Sequence, residues 1–169
     1  DHLTLLFNDG GLASPNPGVE VASVITEPLA VGSAFLGSLA SIEVKWADAA
    51  TQLPTRFVAK VPTQDPGGRT VGAMLNVWAR EAQFYARLAP LITTSVPTCR
   101  ANFIEGDKAI LILDDLYPAS PGDQLKGASS DEAHVAVEAL AQLHAPFWNK
   151  PSNSALDWVP GIHGPGVVE

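Results

Sequence analysis

The spacing of apolar and polar residues predicts five strands and one helix in the first 115 residues. Residues 39–46 alternate between the two classes, which is typical of a strand with one buried face. Pro28, in the first apolar stretch, indicates an edge strand or a bend because proline cannot donate to a sheet ladder. The predicted order is βββαββ, with strands at residues 19–31, 39–46, 57–61, 98–104 and 109–113 and a helix at 72–88.

The simplest arrangement of these elements is an antiparallel sheet with the helix packed on one face. Turns join consecutive strands, as they do in antiparallel hairpins. Residues 109–113 are the most apolar short run, which predicts a strand near the sheet centre. Residues 63–70 are polar and contain glycine and proline, which predicts a loop before the helix. The helix itself is predicted from the helical spacing of Met74, Trp78, Tyr85 and Leu88.

Lys60 stands in an apolar strand, where an isolated charge is costly. Alternation places Lys60 and Val58 on one face of residues 57–61. An ammonium in a dry or cleft-like place needs an anion. Glu81 lies on the apolar face of the predicted helix and has the same need, so we predict that the two residues form an ion pair. Protein-kinase-like folds use such a pair to position ATP phosphates. The alternatives are a purely structural salt bridge and a Lys60 that extends to the surface.

A turn with two glycines joins the first two predicted strands. Its backbone amides could approach a phosphate closely, because glycine has no side chain. The spacing Gly-x-x-x-x-Gly, without a following lysine, does not match a P-loop, so an ordinary hairpin turn is the simpler interpretation. The residues that would cover a phosphate are Gly32, Ser33, Gly37 and Ser38.

Residues 118–130 are a polar connector that precedes a second amphipathic helix. Ser129 or Ser130 is suited to cap this helix, since two acidic residues follow in its first turn. We interpret His144 as a helix-surface or core-edge histidine and not as a ligand or base, because no acid or cysteine lies at ligand spacing from it. The apolar stripe of the helix consists of Ala136, Leu140, Leu143 and Phe147.

Composition excludes several classes of function. The net charge of −8 argues against nucleic acid or an anionic membrane as a partner. The single cysteine, Cys99, excludes an intrachain disulfide and a cysteine-rich zinc site. No apolar run approaches the ~20 residues of a membrane span, and no signal peptide is visible. We therefore expect a cytoplasmic protein.

Two motifs are the most informative. Residues 110–116 read Ile-Leu-Ile-Leu-Asp-Asp-Leu, an apolar strand that ends in two acids, and residues 140–145 contain Leu-x-x-Leu-His. Together with the motifs at residues 32–38, 57–62 and 80–85, they resemble the N-terminal lobe of the aminoglycoside phosphotransferase and choline-kinase-like superfamily. The opening of the chain resembles the ecdysteroid-kinase-like branch. The resemblance extends through most of the chain.

This resemblance implies an α+β fold with two parts. Residues 1–117 would form a protein-kinase-like N-lobe, with a five-stranded antiparallel sheet and one packed helix. Residues 118–169 would contain the hinge connector and the first helix of a larger lobe. The implied activity is transfer of the γ-phosphoryl group of ATP, with Mg²⁺, to a hydroxyl of a small molecule.

The same resemblance assigns roles to individual residues. Lys60 would hold the α- and β-phosphates and Glu81 would orient it. The glycine turn would cover the phosphates. Backbone groups of the hinge would bind the adenine edge, and the hinge residues are Asp114, Asp115, Leu116 and Tyr117. The sequence indicates neither the acceptor molecule nor the oligomeric state.

The chain departs from the family pattern at the catalytic loop, which in the family reads His-Gly-Asp. The only His-Gly here, at His163, is followed by Pro165, and no His-x-Asp occurs. We therefore expect the catalytic base and the metal ligands beyond Glu169, and we expect these 169 residues to be an N-terminal portion that does not catalyse alone. The alternatives are a nucleotide-binding pseudokinase and a non-enzymatic α+β module that uses the ion pair only for structure.

Overall fold

The computed structural model describes residues 19–29, 36–105, 108–120, 122–123, 125–150 and 154–159. Gly32, Ser33 and His163 lie outside the described residues, as does the end of the first predicted strand. The described residues form two units. The first contains the described residues up to Ala82 together with Pro97–Asp115, and the second contains Gln83–Val96 and the described residues from Leu116 onward.

Five antiparallel strands form the sheet of the first unit, which confirms the predicted fold class. The strands are β1 (Val21–Leu29), β2 (Gly37–Trp46), β3 (Arg56–Pro62), β4 (Cys99–Glu105) and β5 (Lys108–Asp114). Their order is β1-β2-β3-β5-β4, and every neighbouring pair is antiparallel. β5 is therefore an interior strand beside the central β3. β1, which contains Pro28, is an edge strand, as its proline predicts.

The main core cluster lies on the sheet face opposite Lys60. Phe57 has no exposed surface, and it pairs with the buried Ile42 on β2. Trp46 lies on the same face, and its indole nitrogen donates to the carbonyl of Pro54 at 3.2 Å, so its polar atom is satisfied. The buried residues of the cluster are Val21, Ile42, Val44, Trp46, Phe57, Ala59 and Ile112.

The helical segment after β3 begins earlier than the sequence pattern predicts. Helix α1 spans Pro66–Met74, so the predicted loop at residues 63–70 is wrong from residue 66 onward. The carboxylate of Asp65 caps α1 by accepting from the amide of Gly68 at 2.6 Å. Proline in the first helical turn is also favourable, since its missing N–H would have no helical partner there.

The same segment is interrupted where the pattern predicts one continuous helix. α1 ends at Met74, and Asn76 adopts a left-handed conformation with φ of 51°. Helix α2 then spans Val77–Gln83, and a π-helical turn follows at Phe84–Leu88. The predicted helix at residues 72–88 is therefore two helices and a turn. Met74 is 77% exposed. It lies before the break, so its helical spacing to Trp78 does not place the two residues on one helix face.

Gly72 allows α1 to approach the buried ring of Trp78 in α2. A Cβ atom at position 72 would lie 2.6 and 2.7 Å from two carbons of the indole. We therefore expect Gly72→Ala to lower the free energy of unfolding by about 1–3 kcal/mol, because the ring must move. Denaturant unfolding measures this change.

Gly122→Ala is the matched control for this substitution, since a Cβ atom there would meet nothing within 4 Å. The cost of Gly72→Ala should shrink in a Trp78→Leu background, which removes the ring. Equal stability of Gly72→Ala and Gly122→Ala would contradict the expected clash.

The second unit contains helix α3 (Ser130–His144), and the prediction of its cap is confirmed at Ser129. The hydroxyl of Ser129 accepts from the amide of Glu132, and the carboxylate of Glu132 accepts from the amide of Ser129 at 2.7 Å. This arrangement is a reciprocal capping box. The hydrogen bonds that the amide and the hydroxyl of Ser129 donate to the carboxylate of Glu132 lower its pKa below the ordinary value. No residue of α3 is buried, and His144 lies exposed at its end, which agrees with a surface histidine.

α3, with 15 residues, is the longest helix in the described part of the chain. A helix that crosses a bilayer needs about 20 predominantly apolar residues. Among the described residues, no helix has the length and apolar character for such a crossing.

Candidate functional site

Lys60 and Glu81 form the ion pair that the sequence predicts. Nζ of Lys60 lies 2.8 Å from both carboxylate oxygens of Glu81. The side chains are 33% and 26% exposed, so the pair is accessible to solvent and does not occupy a dry interior. The two contacts fix a long, flexible side chain in one place. The pair therefore holds the ammonium of Lys60 in a defined, partly exposed position.

The described end of the glycine turn lies against Lys60. Gly37 pairs with Pro62, and Ser38 pairs with Val61. A Cβ atom at position 37 would lie 3.2 Å from the carbonyl oxygen of Val61 and 3.6 Å from Cε of Lys60. Glycine thus avoids a tight contact with the carbonyl of Val61, and the backbone of Gly37 lies close to the lysine side chain. Gly37 and Ser38 are therefore next to the lysine that would bind the phosphates.

The strand register shows which residues lie on the same face of the sheet as Lys60. Lys60 is directly opposite Leu39 on β2 and Leu111 on β5, and directly opposed residues share a face. Val58 and Arg56 follow on this face at steps of two residues. Arg56 lies four residues from Lys60, which is about 13 Å along an extended strand.

A cavity lies at the Arg56 end of β3. Its volume is about 320 Å³. Its lining is largely polar and comes from the first three strands and the end of β5. The lining residues are Ile25, Glu27, Ser41, Ile42, Glu43, Thr55, Arg56 and Asp115. The cavity thus includes one of the predicted hinge residues, Asp115.

Each of the two acids at the end of β5 pairs with an arginine of a neighbouring strand. The guanidinium of Arg100 on β4 contacts both carboxylate oxygens of Asp114, each at 2.7 Å. This hydrogen bonding raises the pKa of Arg100. Nε of Arg56 on β3 lies 3.1 Å from the carboxylate of Asp115. The amide of Asp114 donates to the carbonyl of Thr98 at 2.9 Å, so this backbone group is engaged within the sheet.

The remaining hinge residues, Leu116 and Tyr117, belong to the second unit. Both side chains are exposed. The carbonyl of Leu116 accepts from the amide of Ala119 at 2.9 Å, and the peptide bond between Tyr117 and Pro118 is cis. Binding of a base by this stretch stays a prediction.

Cys99 on β4 is a free, half-buried cysteine. Burial raises the pKa of its thiol, which therefore stays protonated at neutral pH and is a poor nucleophile. In the part of the chain that the structure describes, no group of three or more His, Cys, Asp or Glu side chains could hold a metal ion.

Arg56 and Arg100 are candidate site residues that sequence reasoning missed. Both stand in predicted strands, or directly beside one, and neither belongs to a motif that carries chemistry on its own. The signal that could have found them is the pair of acids at the end of an apolar strand, since such carboxylates need cationic partners. Choosing the partners requires the strand order, which the pattern alone does not provide.

These features together define a class of protein. A five-stranded antiparallel sheet whose third strand carries a lysine paired with a helix glutamate is the arrangement of a kinase-like N-lobe. A family model described as the ecdysteroid kinase-like family matches residues 31–146, which is more than half of the chain. The chain belongs to this family, which is part of the choline-kinase-like and aminoglycoside phosphotransferase superfamily. No curated protein and no solved structure matches the chain.

Family membership sets the broad chemistry. The family is one of kinase-like phosphotransferases, and kinase-like proteins generally use ATP and Mg²⁺. The resemblance found from the sequence motifs is therefore confirmed at the level of the family and the fold.

Proposed function

We propose that this chain is the ATP-binding part of a phosphotransferase that transfers the γ-phosphoryl group of Mg-ATP to a hydroxyl of a small molecule. The observation that carries the proposal is the Lys60–Glu81 ion pair, which lies beside the backbone of Gly37 in a chain of the ecdysteroid kinase-like family.

The geometry around Lys60 suits phosphate groups. The ammonium is fixed by Glu81 yet partly exposed, so an anion can contact it without displacing packed side chains. Gly37 and Ser38 bring backbone next to the lysine, and the absence of a Cβ atom at position 37 allows close approach. Bound Mg-ATP would supply the phosphoryl group. Lys60 would hold its phosphates in line with the acceptor, which is the main contribution of protein groups to this chemistry.

A purely structural role explains the pair less well. An ion pair with both side chains partly exposed contributes about 0–1 kcal/mol to stability. Such a small contribution does not require a lysine in the middle of an apolar strand, where an apolar residue would serve as well. A positioned, accessible cation is useful only if an anion binds to it.

The other end of the same face suits a nucleoside. The cavity at Arg56 lies about 13 Å along the strand from Lys60, and it includes Asp115 at the point where the chain leaves the first unit. We propose that the base lies toward this end, with the hinge backbone at its edge. The phosphates would then extend along β3 to Lys60.

ATP binding and turnover test the proposal directly. In the complete protein, MgATP at 100 times its dissociation constant should stabilise the fold by about 2.7 kcal/mol, which thermal unfolding detects as a higher midpoint. Turnover is then measured with a panel of hydroxylated small molecules, and each is matched by its analogue that lacks the hydroxyl. A midpoint shift with MgATP, or turnover that depends on the hydroxyl, would be incompatible with an ion pair that is only structural. If both are absent, the proposal is rejected.

A further inference from the structure

We propose that Arg100 and Arg56 are positioning residues for nucleotide binding, because they fix the end of β5 from both sides. This inference rests on the proposed function. The ion pairs of these arginines with Asp114 and Asp115 would hold the hinge backbone in the place where it meets the base.

The sheet order places one arginine on each side of the exit strand. β5 lies between β3 and β4. Asp114 and Asp115 are consecutive, so their side chains point away from each other in extended backbone. Arg100 comes from β4 and Arg56 from β3, and each meets the nearer acid. Asp115 is the last residue of the first unit, so the two pairs fix the point at which the chain leaves it.

The Arg100 contact has the geometry of a specific clamp. Its planar guanidinium meets both oxygens of Asp114 at 2.7 Å, an arrangement that fixes orientation as well as distance. The strand pairing shifts register between Cys99 and Ala101, which leaves Arg100 as the extra residue of an irregularity in β4. Such bulges redirect a side chain, and here the redirected side chain meets the end of the neighbouring strand.

A role in stability alone does not account for two such pairs at one place. The side chains of Arg100 and Asp114 are 33% and 23% exposed, and partly exposed pairs of this kind stabilise a fold only slightly. Their main effect is on the backbone position, since together they restrict Asp114 and Asp115 at the point where the chain leaves the first unit. If one of these ion pairs is removed, the hinge backbone adopts its binding-competent conformation less often. The apparent affinity for the nucleotide then falls by the same fraction.

Binding of ATP and of inorganic tripolyphosphate, both with Mg²⁺, separates the base end of the site from the phosphate end. We expect Arg100→Met to weaken ATP binding about fivefold and to leave tripolyphosphate binding unchanged, because tripolyphosphate uses Lys60 and has no base. Arg100→Lys should fall between Arg100→Met and the unmodified protein, since it keeps the charge but loses the two-point contact. Arg56→Met should also lower the ratio of ATP affinity to tripolyphosphate affinity.

Arg87→Met is the matched control. Arg87 is 35% exposed and pairs with Asp157 at 2.7 Å, but neither residue lies in β5 or its neighbouring strands. This variant should keep the ratio of the two affinities. The inference is overturned if Arg100→Met and Arg56→Met leave the ratio unchanged or weaken both ligands equally, and the proposed function then still stands. If the unmodified protein binds neither ligand, the proposed function fails and this inference fails with it.

Discussion

Replacing Lys60 by alanine is expected to lower phosphoryl transfer by two to three decades in the complete protein while the fold stays intact. Under the proposed function, Lys60 holds the phosphates in line with the acceptor, and losing one such contact typically costs about 3–4 kcal/mol of transition-state stabilisation. The fold should tolerate the change because the Glu81 side chain is 26% exposed and water can solvate its carboxylate once the lysine is gone. Turnover and the thermal midpoint are measured on the same preparation.

Lys108→Ala is the control for Lys60→Ala. Lys108 is an exposed lysine at the start of β5, in the same sheet, and it lies opposite Glu105 in the register of β4 and β5. This variant should keep both turnover and midpoint. A Lys60→Ala protein that keeps full turnover, or one that loses its fold, would be inconsistent with the assigned role of Lys60. A folded variant with low turnover distinguishes a phosphate-binding lysine from a structural ion pair.

The strands of the sheet, though not their order, were predictable from the sequence, because three of them have a simple pattern. β2 alternates over its length, β5 is a short apolar run, and Pro28 restricts β1 to an edge. The Lys60–Glu81 pair was also predictable, since two charges at apolar positions each need a partner. Its exposure was not, because burial depends on how the helix is placed over the sheet.

The helical segment shows where the pattern was insufficient. The two glycines after Pro66 favour a loop, yet the Asp65 cap and the proline together start a helix there. The break at Asn76 has no strong sequence signal, since asparagine is only one of several residues that adopt a left-handed conformation. Helical spacing continues across the break in the sequence, so the pattern includes Met74 in the same helix as Trp78.

The ion pairs of Arg100 and Arg56 show a second limit of prediction from the sequence. A sequence pattern places Asp114 and Asp115 at the end of a strand, but their partners depend on which strands lie on either side. Arg100 is 14 residues away from Asp114 along the chain and is brought to it by the β4–β5 hairpin. Arg56 meets Asp115 only because β5 is inserted beside β3, a crossover that strand periodicity does not reveal.

The largest expected effect on stability is that of Phe57→Ala. Phe57 is 0% exposed and lies in β3, the central strand that also carries Lys60. Removing its ring leaves a cavity among residues such as Ile42 that strand pairing holds in place, so the site can relax only partly. We expect the free energy of unfolding to fall by about 3–5 kcal/mol.

Phe103→Ala is the matched control for Phe57→Ala, because Phe103 is 43% exposed on the edge strand β4 of the same sheet. Its loss removes a ring of equal size that is already partly in water, so the destabilisation should be much smaller. Denaturant unfolding compares the two variants, and comparable losses in both would show that the cluster around Phe57 is not the principal core. Phe57→Ala is also expected to weaken ATP binding, since the ring supports the opposite face of the strand that positions Lys60. If Phe57→Ala is destabilised as predicted while Lys60→Ala keeps its stability, then one face of β3 stabilises the sheet and the other face carries the proposed phosphate-binding residue.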